Sequence, residues 1–243
     1  KAYVDAQVGS FDTLAEVLAN GNTTGGTDLV ISSGDTLTVT GDINANGSIK
    51  LDGNYPVGTQ NVALGDTALA LSSGDANTAL GASALEANTT ASDNTAVGAR
   101  ALYVNTTGSQ NTAVGRIALA ANTTAPNNTA VGYSVLNANT TGSNNTGVGR
   151  SALAANTTAS NNTALGYNAG TAITIGFNNT FVGSTTGDAL TTGDYNVAVG
   201  LSALGAETTG NKSTAMGTGA LASQNNTGDP DVFNTAIGFE AGA

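Results

Sequence analysis

The residues best equipped for acid–base or metal chemistry in the repetitive part of this chain are its carboxylates: Asp66, Asp75, Glu86, Asp93, Asp188, Asp194, Glu207, Asp229, Asp231 and Glu240. A general acid and its partner need a fixed, close separation and environments that push their pKa values apart. These acids fall at scattered places in the repeat, so they predict no catalytic pair. Asp188 with Asp194, and Asp229 with Asp231 around Pro230, are close enough in sequence to form a weak Ca²⁺ site from carboxylates and carbonyls. Solvated turn acids are the expected alternative, and the Gly-Gly-x-Gly-x-Asp calcium repeat is absent. There is no His and no Cys, which removes the usual general base, the usual pH switch and thiolate ligands. The sequence therefore predicts no catalytic, cofactor-binding or metal-binding residues and a protein that is not an enzyme. The many Asn-x-Thr triplets match a glycosylation acceptor, but "NNT" and "NTT" generate them automatically.

Other side chains with binding chemistry are few. Arg100, Arg116 and Arg150 recur in neighbouring units as a modest basic edge, and Tyr103, Tyr133, Tyr167 and Tyr195 are expected to point outward at variable places. Six basic against seventeen acidic residues give a net charge of −11, which disfavours nucleic acid and anionic lipid. No apolar run is long enough to cross a bilayer. The chain begins at Lys1 and ends inside a repeat phrase at Ala243, so a longer parent polypeptide is expected.

The elements that carry these residues follow from a repeat. "NTAVGRIALAANTTAPN" (111–127) is followed by "NTAVGYSVLNANTTGSN" and "NTGVGRSALAANTTASN". Units begin at Asn61, Asn77, Asn94, Asn111, Asn128, Asn145, Asn162, Asn179, Asn196, Ser213 and Asn234, with steps of 16, then 17, and finally 21. A constant step predicts stacking in one register. The fifth column is Gly in every unit, from Gly65 to Gly238, and reads as a turn with positive φ or a close backbone approach. The fourth column is aliphatic or Met throughout (Leu64, Val97, Val114, Val131, Met216 and so on) and is expected to face a dry interior. Ala dominates the third, eighth and eleventh columns and Leu the ninth.

Recurrent Gly, paired Thr and leading Asn oppose a helix. The expectation is two short strands per unit, around "NTAVG" and "ALxANTT", wound into an all-β parallel solenoid or roll whose eleven rungs, at about 4.8 Å each, give a rod on the order of 50 Å. Stacked Asn (first and twelfth columns) and Thr are expected to form rung-to-rung ladders. With 5% aromatic residues and no Trp, one unit buries too little to offset its ordering. Several copies, most naturally three, should share their Ala-rich faces. Irregular units, with Gly170 and Gly187 in the ninth column, Phe181 in the third and "GDPDVF" (228–233) inserted, mark where a binding surface would deviate.

The first sixty residues differ in kind. Val4, Val8, Phe11, Leu14 and Leu18 recur at helical spacing, broken near Gly9 and Ser10, with Thr13 and Glu16 as a possible capping box. Residues 1–26 thus read as short helices, either an intersubunit bundle or a segment packed on its own rod. Residues 27–60 read as a β-rich neck and 61–243 as the repeat domain.

At these residues a resemblance becomes specific. The "NTAVGxxAL" units are similar to the repeats of trimeric autotransporter adhesin heads, which implies a left-handed parallel β-roll shared by three chains, although the seventeen-residue period is longer than that family's. "KAYVDAQV", "LAEVLANGNTTGGTDLVISSGDTLTVTGDINANGSIKLDG" and "NYPVGTQNVALGDTAL" resemble tail-fibre proteins of contractile-tailed phages, particularly those of marine cyanobacteria. Neither family implies catalytic residues here. The expectation is a virion tail-fibre protein, extracellular and homotrimeric, contacting other tail proteins and a host-surface glycan or protein. A trimeric bacterial surface adhesin, an ice-binding Thr solenoid and a glycan-cleaving tailspike are the alternatives, in that order.

Overall fold

The structure, a computed structural model, describes residues 59–228 and 231–243. The helices expected in 1–26 and the strands expected in 27–53 lie outside the described residues, as do Asp229 and Pro230. Each unit contributes one three-residue strand from its second to fourth columns: β1 (Val62–Leu64), β2 (Thr78–Leu80), β3 (Thr95–Val97), β4 (Thr112–Val114), β5 (Thr129–Val131), β6 (Thr146–Val148), β7 (Thr163–Leu165), β8 (Thr180–Val182), β9 (Val197–Val199), β10 (Thr214–Met216) and β11 (Thr235–Ile237). They form one parallel sheet in sequence order. Like columns pair with like: Thr95, Ala96 and Val97 lie opposite Thr112, Ala113 and Val114. The expected parallel β-solenoid is thus present, and no helix occurs among the described residues.

The second expected strand is not there. "ALxANTT" runs as turns because each rung repeatedly enters the left-handed region, for example at Gly98 (φ 128°), Arg100 (59°), Leu102 (51°) and Gln110 (61°). An L-residue held there costs about 1–2 kcal/mol, yet three such residues and one Gly in this rung bend the chain tightly enough to close a coil in seventeen residues. The backbone is repaid between rungs, where Leu102 N–H donates to the Ala118 carbonyl at 3.0 Å and Gly98 N–H to the Leu80 carbonyl at 2.7 Å. At Gly98 a Cβ would stand 2.7 Å from the Gly115 carbonyl oxygen, so this column needs both the positive φ and the missing side chain.

The interior is narrow, and that overturns the expectation for the fourth column. Strand side chains alternate in direction. The third-column alanines Ala96, Ala113 and Ala130 are fully buried, so Val97, Val114 and Val131 must point out. They do stack in one line, but on the outer surface, and Val131 is 36% exposed, Leu165 48% and Ile237 70%. The eleventh column, such as Ala87 and Ala121, is only half-buried. The inside is filled mostly by Ala at columns three and eight, Leu at nine and Asn at one and twelve, with a further buried Ala at column fifteen in some rungs, such as Ala91, Ala125 and Ala159. Two substitutions in the repeat show how little room remains. Where Val135 replaces the eighth-column Ala, the neighbouring third-column residue is Gly147, and a Cβ on it would meet Val135 Cγ1 at 2.5 Å. Where Phe181 replaces a third-column Ala, the ninth-column Leu is lost from two rungs, and a Cβ on Gly170 would lie 2.6 Å from the Phe181 ring.

The buried asparagines form the expected ladders. In the first column Asn111 N–H donates to Asn94 Oδ1 at 2.9 Å while Asn111 Nδ2 donates to the Ala125 carbonyl at 2.9 Å. In the twelfth column amide donates to amide up five rungs: Asn105 to Asn88, Asn122 to Asn105, Asn139 to Asn122 and Asn156 to Asn139. The ladder stops where the next rung carries Ile173, and Asn156 Oδ1 is left buried without a partner.

Candidate functional site

A narrow coil leaves its chemistry on the outside, and the largest outward feature is the fourth-column ribbon. Eleven aliphatic or Met side chains, one per rung, lie in register along the sheet from Leu64 to Ile237. Chains that function alone rarely expose a continuous apolar patch of this kind. The outward second column beside it is mostly Thr, with Val at positions 62 and 197.

On another face the thirteenth-column threonines are also in line, but their hydroxyls are committed to the backbone. Thr106 Oγ1 donates to the Thr123 carbonyl at 3.0 Å, and Thr123, Thr140, Thr157, Thr174 and Thr191 repeat the contact. The ladder was legible in the sequence; its direction, into the next rung's carbonyl instead of into solvent, was not.

The acids do not converge. Among the described residues no group of three or more His, Cys, Asp or Glu side chains is placed to hold a metal ion. Asp194 Oδ1 accepts from Phe177 N–H at 2.8 Å, and Asp231 Oδ2 is paired with Lys212 Nζ at 2.6 Å. Asp188 is half-buried, and desolvation raises its pKa. A shallow hollow at the first rung is lined by Ala63, Gly65, Thr67, Ala68 and Ala70, none of which titrates.

Among the described residues Glu207 is the one carboxylate buried inside the coil. It occupies the twelfth column, which carries Asn from Asn88 to Asn156 and then Ile173 and Leu190 on the two rungs directly below, and its side chain is fully buried. Burial pushes its pKa up, but hydrogen bonds from Gln224, the Gly210 N–H and Asn226 outweigh that and hold it below the ordinary glutamate value. A carboxylate with a depressed folded-state pKa stabilises the fold above its unfolded pKa, and that contribution is lost as pH falls through the folded value. The urea midpoint of the intact chain should therefore fall more steeply below about pH 4 than that of Glu207→Gln, which should begin lower at neutral pH because its amide faces the Gln224 and Asn226 donors. Parallel pH profiles for the two proteins would contradict this assignment.

Cationic and aromatic side chains group on the outer edge beyond the glycine turn. All four cations among the described residues lie over rings: Arg100 4.3 Å from the Tyr103 centroid, Arg116 5.9 Å and Arg150 5.8 Å from that of Tyr133, and Lys212 5.0 Å from that of Phe233. Arg150 also lies 5.6 Å from the Tyr167 ring. The sequence reading placed the tyrosines at variable columns, yet Tyr133 and Tyr167 share the sixth column with Arg116 and Arg150 on consecutive rungs. Counting from each leading Asn gives that alignment directly. Phe177 and Tyr195 make a separate edge-to-face pair at 5.3 Å.

No protein-family model matches this chain, and neither a curated protein nor a solved structure matches it.

Proposed function

We propose that this chain is a structural fibre segment of a virion tail, assembled as a homotrimer, that spaces or presents a host-attachment tip. The observation that carries the reading is the outward aliphatic ribbon. It is in register and uniform in chemistry over eleven rungs. A partner that covers it must repeat at the same rise of about 4.8 Å, and another copy of this chain has that rise by construction. Three copies turning their ribbons to a common axis bury all of them at once and leave no open apolar face. The resemblance of stretches within 1–69 to phage tail fibres and of the repeats to trimeric adhesin heads supports the same arrangement and an extracellular setting on the virion.

The other readings have less support. The Thr hydroxyls that an ice-binding face would present to water are engaged with carbonyls. A trimeric bacterial surface adhesin shares the proposed assembly and differs in its anchor, so a membrane β-barrel encoded downstream in the parent gene would favour it. For the virion reading the decisive experiment is electron microscopy of particles from which the gene has been deleted. Tail fibres should be missing or shortened, and particles with unaltered fibres would refute the assignment.

A further inference from the structure

The ligand-binding face of an attachment fibre need not sit at its tip, and the sixth column offers one along the shaft. Arg116, Tyr133, Arg150 and Tyr167 occupy the same outward position on four consecutive rungs, so guanidinium and phenol alternate in a single file. Tyr133 is 42% exposed and Tyr167 46%, and both arginines are exposed. Each of these arginines lies over a neighbouring ring, and Arg150 Nη1 reaches the Tyr167 hydroxyl at 3.5 Å, so the file is held in an ordered stack.

A second observation concerns charge. The chain is strongly acidic, yet no Asp or Glu occurs between Asn94 and Gly187, and all three of its arginines lie inside that stretch. Arg100 has Glu86 as an electrostatic neighbour from the rung below. Arg116 and Arg150 are farther from any acid along the stack. The middle of the solenoid is therefore cationic while both ends are acidic, a segregation that folding alone does not require on an outward column.

We propose that this Arg–Tyr file binds an extended anionic polysaccharide bearing carboxylate or sulfate groups. The chemistry matches at each position. A guanidinium donates a forked pair of hydrogen bonds to a carboxylate or sulfate, and a phenol ring offers its face to the apolar side of a sugar. Arg116 and Arg150 are two rungs apart, about 10 Å, which is close to the length of one extended disaccharide. A polymer charged on alternate sugars thus meets an arginine at each charge and a tyrosine between. Nucleic acid shares the stacking and the anion, but it brings a phosphate at every nucleotide and closer-spaced charge to a chain of net charge −11.

This narrows the attachment reading to one face and one ligand class, and the two fail separately: fibre loss in deleted virions tests the first, and ligand binding by the purified chain tests the second. The experiment is affinity electrophoresis and titration calorimetry of the full 243-residue chain with hyaluronate (one carboxylate per disaccharide), kappa-carrageenan (one sulfate per disaccharide), neutral dextran and oligo(dT). Binding to hyaluronate or kappa-carrageenan is expected, weakening as salt rises, with none to neutral dextran; whichever polymer binds more tightly identifies the anion. The double variant Arg116→Gln/Arg150→Gln should lose about tenfold or more, and Tyr133→Ala/Tyr167→Ala about threefold to tenfold. Ser184→Arg extends the file by one rung beyond Tyr167 and should tighten binding several-fold, which keeps the test independent of any loss of folding. No binding by the intact chain, unchanged binding in both the Gln and the Ser184→Arg variants, tighter binding of oligo(dT), or a change of oligomeric state in the Gln variant would each overturn the proposal.

Discussion

Val131→Asp is expected to separate the proposed homotrimer into single chains. Val131 ends β5 and lies between Val114 and Val148 in the outward ribbon. If the ribbons of several copies meet, symmetry brings the substituted carboxylate of every copy into the same dry interface. An unpaired carboxylate taken out of water costs several kcal/mol, and like charges at one level add to that. Val131→Thr is the control, because it keeps the shape and adds only a hydroxyl. The Asp variant should sediment as a single chain at concentrations where the unsubstituted protein and the Thr variant remain assembled. Each separated chain should keep its rungs, since position 131 lies outside the coil and its backbone is retained, but with a lowered urea midpoint, because the rest of its ribbon is then bare to water. An Asp variant that still sediments with the assembled protein would place the interface elsewhere.

Asn122→Ala should be the most damaging single change inside the coil. Asn122 is fully buried, donates to Asn105 Oδ1 at 2.8 Å and to the Ala125 carbonyl at 3.0 Å, and accepts from Asn139 Nδ2 at 2.9 Å. Truncation strands an acceptor on the rung below and a donor on the rung above, in a place water does not reach. Each such orphan costs about 1–3 kcal/mol, so a loss of about 3 kcal/mol or more is expected in urea titrations. Asn156→Ala supplies the comparison. Asn156 also donates to Asn139 Oδ1, at 2.7 Å, but its own Oδ1 already lacks a partner at the ladder's end. It should therefore cost less, by about one orphaned group. Equal losses at the two positions would show that the amides act as isolated hydrogen bonds and not as a ladder.

How much of this was readable beforehand depends on which physical quantity a residue type reports. The seventeen-residue step was enough to give parallel, in-register rungs, because identical side chains can only recur on one face if every turn closes at the same length. The fifth-column Gly and the buried Asn columns followed as well, since Gly marks positive φ and stacked amides satisfy one another. The fourth column misled. Val97 and Val114 are more apolar than Ala96 and Ala113, and hydrophobicity alone sends the larger side chains inward. The coil is too narrow to take them, and the third-column Ala was the signal of that width. "ALxANTT" misled for a related reason: Leu102 and Leu119 sit at φ near 50°, a conformation for which Leu carries no sequence mark. Among surface features, the Arg–Tyr file could have been found by column counting, whereas the inward turn of the Thr hydroxyls depends on side-chain rotation and leaves no trace in composition.

The fourth-column ribbon also makes a quantitative demand on the intact protein. On the homotrimer proposal the outward Leu, Val, Ile and Met of eleven rungs are covered along their whole length. Static light scattering of the purified 243-residue chain measures that most directly. The mass should be three times the 23.6 kDa of one chain, independent of concentration over the micromolar range. A mass of 23.6 kDa, with the ribbon bare to water in a stable single chain, would contradict the account at its centre.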